Sequence, residues 1–206
     1  MDLLVFLERD SSRVKYIFHH IFHHILGLDI EFTQDKSLFI ESNQPKINYS
    51  KKPFSDELFF YASDFIFENN IEPKDLTIST YKDIKIFFLC KNSSLPFDPF
   101  SASFYMLSRY EEYLPHKKDK IDRFDVKDSI AFKNDFLTTP VVDHWIIFLK
   151  EKLLIRFPHI SFKVNSFEFI NTIDVDNAYA YLEKGFLRTI GAFFKDMFQL
   201  RFYSIK

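Results

Sequence analysis

Glycine is almost missing from this chain, with three residues in 206. A glycine-rich loop that cradles phosphate with its backbone N–H groups is therefore excluded, and no Gly-x-Ser-x-Gly nucleophile elbow is present. Cysteine occurs once, as Cys90, which rules out an internal disulfide framework and fits a reducing compartment. There is no long basic run and the net charge is −2, so the footprint of a nucleic-acid-binding protein is lacking. No stretch approaches the roughly 18 continuous apolar residues that span a bilayer. The N-terminus, Met1-Asp2-Leu3-Leu4-Val5-Phe6-Leu7-Glu8-Arg9, places an acid where a secretory signal needs basic residues, and its apolar run is too short. These absences predict a cytoplasmic protein without a membrane span.

What the chain does have is core-forming surface: 47% apolar residues and 28 Phe. That excludes a disordered chain. Lys, Ile, Phe and Asn are abundant, which reads as a compositional bias of the source. Leu3–Leu7 reads as a short buried strand, followed by a helix that Asp10, Ser11 or Ser12 caps and Gly27 ends. Val14, Ile17, Phe18, Ile21, Phe22 and Ile25 give that helix an amphipathic stripe. Residues 29–33, 38–41 and 46–49 look β-like, 56–68 helical, and 76–80 and 84–90 like strands. A helix over 101–113, a polar loop over 116–128 and a strong helix over 141–156 follow. Pro158 closes that helix. A strand ending at Asp176 and a Phe-rich helix over 184–206 complete the pattern.

Several clusters carry possible chemistry. His19-His20-Ile21-Phe22-His23-His24 contains two i, i+4 histidine pairs of the kind that chelates zinc. At about 100° per residue, however, the four histidines centre opposite the apolar stripe, so they read as a solvated face. Arg109-Tyr110-Glu111-Glu112-Tyr113 reads first as a structural segment of paired charge and packed tyrosine, and second as a substrate contact. Asp143-His144-Trp145 complements a helix start, and Cys90 reads as a small buried hydrophobe. Asp174 and Asp176 stand at i, i+2 after an apolar, β-branched run. On a strand both carboxylates project to the same side, so one can bind a divalent metal while the other accepts a proton.

Thr172-Ile173-Asp174-Val175-Asp176-Asn177-Ala178-Tyr179 resembles the first motif of the polysaccharide deacetylase family, the NodB-homology carbohydrate esterases. Three upstream segments resemble the domain of unknown function that precedes the deacetylase domain in one bacterial branch. They are Phe97-Asp98-Pro99-Phe100-Ser101-Ala102-Ser103-Phe104, Arg109–Tyr113 and Pro140-Val141-Val142-Asp143-His144-Trp145. The resemblance implies that Asp174 is the catalytic base and Asp176 a ligand of a divalent metal, usually zinc. It implies as substrate an N-acetylated sugar or polysaccharide, from which a metal-bound water releases acetate. The family's two metal-binding histidines lie downstream of the aspartates, whereas all seven histidines of this chain precede Asp174.

The expectation is an α/β protein. A mixed α/β N-terminal accessory domain occupies residues 1–164. The first β-α unit of an incomplete NodB-type (β/α) barrel occupies 165–206. Such a chain is a C-terminally truncated frame or one half of a split gene, holds no zinc tightly and lacks deacetylase activity alone. The apolar residues of 186–198 would then seek cover in a homo-oligomer or a complementing chain. The rival expectation is a self-sufficient protein- or carbohydrate-interaction module without catalysis.

Overall fold

Strand β1 (Asp2–Leu7) is apolar on both faces, and Leu3, Leu4, Val5 and Leu7 are fully enclosed, as a central strand of a parallel sheet requires. The computed structural model describes residues 2–164, 166–173, 190, 191, 193–195 and 197, and the chain divides into two units, Met1–Val164 and Asn165–Lys206. In the first unit β1 pairs in parallel with β2 (Asp29–Thr33) and β3 (Lys46–Ser50), and β3 pairs in parallel with β4 (Leu58–Tyr61). The strand order is β2-β1-β3-β4, so the order reverses between β1 and β3. The α/β class is as expected.

Parallel neighbours need crossovers. The first begins with helix α1 (Ser12–Phe18), whose N-cap Ser11 accepts the Val14 N–H at 3.1 Å. It continues as an eight-residue π-helix, His19–Leu26, and stops at Gly27 with φ 68°. A Cβ at Gly27 would stand 2.6 Å from that of Lys163, so only glycine fits this stop. The second crossover is helix α2 (Lys36–Glu41), where residues 38–41 were expected to be β-like. Asp35 decides the matter, because its Oδ1 accepts the Ser37 and Leu38 N–H groups at 2.8 and 3.2 Å and nucleates a turn.

The helix expected over 56–68 is instead β4 followed by a 3-10 turn, Asp64–Phe67. Leu58, Phe59 and Phe60 are all buried, because a strand beside β3 encloses both of its faces and a one-sided helix would not. A hairpin follows, β5 (Ser79–Tyr81) and β6 (Ile84–Ile86), turned by Lys82 and Asp83, both at positive φ. Phe88, at φ 57°, ends the strand that was expected to reach Cys90. Helices α3 (Pro99–Leu107), α4 (Ile130–Lys133) and α5 (Val141–Arg156) complete the unit. Trp145 of α5 is fully buried, and its Nε1–H donates to the Lys85 carbonyl at 3.0 Å.

The phenylalanines meet around Phe100. Its ring stacks on Phe18 at 4.1 Å and lies edge-on to Tyr49 and Phe60 at 5.0 and 5.8 Å. Beside it the fully buried Asp98 caps α3, accepting the Phe100 and Ser101 N–H groups at 3.1 Å each. The same carboxylate accepts the Tyr49 hydroxyl at 2.9 Å, the Ser63 N–H at 2.8 Å and the Ser101 hydroxyl at 2.7 Å. Burial, and then the Asp98 charge, pushes the Tyr49 hydroxyl well above the usual tyrosine range, so it stays a donor.

In the second unit, Ser166–Ile173 has no regular secondary structure, and Phe167, Phe169, Ile170 and Ile173 are exposed. The strand expected there is absent from its described part. β-branched composition supplies preference only, whereas a strand needs a neighbour, and among the described residues neither sheet contains one beyond Ile86. Ile190, Gly191, Phe193–Lys195 and Met197 are helical, as expected for the Phe-rich segment.

Replacing Asp98 by Ala is expected to cost at least about 3 kcal/mol in urea unfolding, since it leaves several buried donors without an acceptor. Tyr49→Phe removes one donor from a carboxylate that keeps its others, so a loss of about 1 kcal/mol is expected. Equal losses for the two variants would contradict the role given to Asp98.

Candidate functional site

Helix α3 ends abruptly where a longer helix was expected. Arg109 adopts the left-handed conformation (φ 54°, ψ 44°), and the chain turns into a 3-10 segment, Tyr110–Tyr113. The turn separates the motif into two sets. Tyr110 is buried and Glu111 half-buried, whereas Arg109 is exposed and its Nε–H donates to Glu112 Oε1 at 2.6 Å.

The inward set is held firmly. Tyr110 accepts the Glu72 N–H at 2.9 Å and donates to the Glu72 carbonyl at 3.1 Å. Its ring meets Tyr105 and Phe65 at 5.2 and 5.0 Å. Arg13, a buried guanidinium of α1, lies over Phe65, Phe104 and Tyr110 at 4.9, 5.3 and 5.5 Å and donates to the Phe65 carbonyl at 2.8 Å. Glu111 accepts the Ile130 N–H at the start of α4, at 2.8 Å. Burial raises the Glu111 carboxyl above the usual carboxylate range, and burial followed by the Glu111 charge raises the Tyr105 hydroxyl.

Outside this floor, residues 116–128 form a self-stapled rim. Asp119 accepts the Ile121 and Arg123 N–H groups at 2.9 Å each and pairs with the Arg123 guanidinium at 3.0 Å. His116 packs edge-on against Phe124 at 5.0 Å. Two adjoining depressions result, of about 330 Å³ and about 680 Å³, and both are bounded by Arg109, Glu112, Phe124 and Val126. The smaller reaches Tyr105 and Glu111, and the larger is lined by the charges of the rim. Both volumes fall in the roughly 300–1,000 Å³ range of small-molecule sites. An aromatic wall beside carboxylates and a guanidinium suits a ligand rich in hydroxyl and amide groups.

The other residues marked by the sequence lie elsewhere. Asp174 and Asp176 lie outside the described residues. Among the described residues no group of three or more His, Cys, Asp or Glu side chains is arranged to hold a metal ion. His19, His23 and His24 are exposed, and His20 is half-buried, in keeping with a solvated face. Asp143 and His144 open α5, where Trp145 is core. Cys90 is half-buried, and burial raises its thiol to about 11, so it is no activated nucleophile.

At the carboxyl ends of β1 and β3, where open parallel sheets hold ligands, this chain gathers its own charges. Arg9 and Lys51 both reach Asp64 Oδ1 at 3.0 Å, and Glu8 accepts the Lys51 N–H at 3.1 Å. Sequence reasoning missed the buried Arg13 and the capping role of Asp98. The Asp-Pro pair at a helix start was a signal for the second. No pattern in the sequence marked the first. Among the described residues no helix is long and apolar enough to cross a membrane.

A parallel sheet flanked by helices, with a stapled groove at the end of α3, defines the class of this protein. A family model for a family of unknown function, DUF7033, matches residues 3–158, and the chain belongs to that family. No curated protein and no solved structure matches it.

The half-buried Glu111 carries a pH dependence. An acid whose folded-state pKa lies above its ordinary 4.5 contributes stability that is present below that value and is lost as pH rises through the raised one. Glu111→Gln keeps an acceptor for Ile130 and abolishes the titration. The variant should therefore gain on the native chain in urea unfolding as pH rises from 4.5 through the raised value. A pH-independent difference would be incompatible with this assignment.

Proposed function

We propose that this chain belongs to a metal-dependent polysaccharide deacetylase system, with the DUF7033 domain as its accessory part. The observation that carries the reading is the segment Thr172–Tyr179, which follows the upstream motifs in the order seen in that family. In it Asp174 takes the role of base and Asp176 that of a ligand to a divalent metal, zinc first among candidates. The substrate class is an N-acetylated sugar polymer. The donor set of this chain does not by itself fit zinc at that motif. A catalytic zinc takes three protein ligands and a water, and every histidine here precedes Asp174. No hydrolytic step is therefore assigned to these residues alone. In the same reading the exposed helical residues Ile190, Phe193, Phe194 and Met197 are covered by a second copy or a complementing chain.

Two measurements test this. The purified 206-residue chain is expected to release no acetate from a chitooligosaccharide, and Asp174-dependent release would overturn the inactivity. Coding sequence past the Lys206 codon, in the same or the adjoining frame, is expected to encode a His-x-x-x-His pair. Its absence would overturn the deacetylase reading itself.

The groove beside Arg109 favours a second reading, a carbohydrate-interaction module in which Phe124 supplies a stacking face and Arg109 and Glu112 supply polar contacts. Calorimetric titration with N-acetylated oligosaccharides is the check. Phe124→Ala and Arg109→Ala should each weaken binding about tenfold, about 1.4 kcal/mol, with unfolding unchanged. A native chain that binds none of these sugars would remove the reading.

A further inference from the structure

The smaller depression of the groove holds two polar groups that the fold leaves with spare capacity. Tyr105 of α3 is only 5% exposed, and its ring is wedged against Phe65, Phe87 and Tyr110 at 5.9, 5.7 and 5.2 Å. Among the described residues its hydroxyl has no hydrogen-bond partner, unlike that of Tyr110, which bonds the Glu72 backbone twice. Nor is it sealed in the core like the unpaired hydroxyls of Ser103 and Ser108, because it opens on the depression. Burial, and then the Glu111 charge, keep its proton in place, so it is a fixed donor. Glu111 is the matching acceptor. Its Oε1 takes the Ile130 N–H at 2.8 Å, and its Oε2 has no partner among the described residues.

Apolar side chains complete this end of the groove: Met106, Val126, Ala131 and Leu137. One spare donor and one spare acceptor beside an apolar wall select among ligand groups. An anion is repelled by Glu111 and Glu112. An ammonium has no lone pair to accept the Tyr105 proton. A hydroxyl pairs with either residue and leaves the apolar wall wet. A secondary amide that ends in a methyl group meets all three demands, because its carbonyl accepts from Tyr105, its N–H donates to Glu111 and its methyl covers the wall. The larger depression, lined by the charges of the rim, suits ring hydroxyls, and Phe124 borders both.

We propose that the smaller depression is a subsite for the acetamido group of an N-acetylated sugar, with Tyr105 and Glu111 as its specificity-determining residues. The inference rests on the carbohydrate-interaction reading and adds what the groove selects. At about 330 Å³ the subsite lies at the small end of the range for small-molecule sites, which suits one sugar unit rather than a chain. A site built to hydrogen-bond a ligand group rejects the analogue that lacks it, since its own polar groups are then left unpaired.

Calorimetric titration of the full chain with the trimers of N-acetylglucosamine, glucosamine and glucose tests it. The N-acetylated trimer should bind at least about tenfold more tightly than either of the others. Tyr105→Phe keeps the packed ring and removes only the unpaired hydroxyl. Its thermal unfolding should match that of the native chain, while the N-acetylated trimer binds about tenfold more weakly and the glucose trimer is little affected. Glu111→Gln keeps the Ile130 contact but turns the free acceptor into a donor, and the same loss is expected. Equal affinity for the three trimers would overturn the inference and leave the carbohydrate reading standing. So would a preference for the N-acetylated trimer that survives in Tyr105→Phe. Binding of none of them would remove both. A peptide carrying N-acetyl-lysine that binds as tightly as the N-acetylated trimer would overturn the assignment to a sugar.

Discussion

A carboxylate taken out of water costs several kcal/mol unless donors surround it, and Asp98 is fully buried. Its donors come from three places that the sequence keeps apart: Tyr49 at the end of β3, Ser63 just after β4, and the first turn of α3. They converge only if β4 lies beside β3 in register and α3 starts where Pro99 fixes it. The requirement therefore couples sheet order to helix position. Phe100, the next residue but one, then lands between Phe18, Tyr49 and Phe60. Once the start of α3 is fixed, its last turns are fixed too, and Tyr105 and Arg109 arrive at the groove.

Much of the first unit was legible in the sequence, and the failures have physical causes. β1, β2, β3 and α5 declared themselves through apolar runs and stripes that tertiary packing reinforces. The run Leu58-Phe59-Phe60-Tyr61 did not, because a fully enclosed strand lacks the alternation that marks a half-exposed one. Its spacing against Ala62 and Phe65 imitated a helical stripe. At residues 38–41 one capping carboxylate, Asp35, outweighed β-branched composition. Over 167–173 the composition was right for a strand, but no described residue pairs with it, which periodicity cannot register. The π-helical winding of His19–Leu26 was equally hidden, since the apolar stripe is compatible with either winding over so few residues. Of the groove, Arg109–Tyr113 was visible as a dense polar-aromatic segment. The left-handed turn that splits it into floor and rim was not, because Arg gives no warning of positive φ.

The groove joins a rigid floor to a locally stapled rim. Arg13 explains the floor. A guanidinium with 8% exposure has to satisfy its donors, and it does so on backbone carbonyls and the faces of three rings. That arrangement ties α1 to Phe65, Phe104 and Tyr110 and fixes Tyr110 against the Glu72 backbone. The rim instead holds itself, through Asp119 and Arg123 four residues apart and few contacts beyond Phe124. A floor determined by the core and a rim determined by its own charges can differ in sequence independently. The same body could thus present different polar surroundings to related ligands.

The location of the groove follows from how the sheet spends its own carboxyl edge. Where the strand order reverses, open parallel sheets leave a crevice whose unpaired charges and backbone groups await a ligand. Here Asp64, carried in by the turn after β4, receives both Arg9 and Lys51, and Glu8 takes the Lys51 N–H. The Lys51 contact, together with Arg9, lowers the Asp64 carboxyl below its ordinary range, so the charge that neutralises the pair persists through mild acid. A ligand at that edge would have to displace an intramolecular carboxylate already held at effective high concentration. One at the end of α3 displaces only the exposed Arg109–Glu112 pair, whose loss costs about 1 kcal/mol or less. Both sets of pairs are exposed, so what distinguishes the two places is the buried aromatic floor of Tyr105 and Tyr110 that the helical side sets beneath its pair.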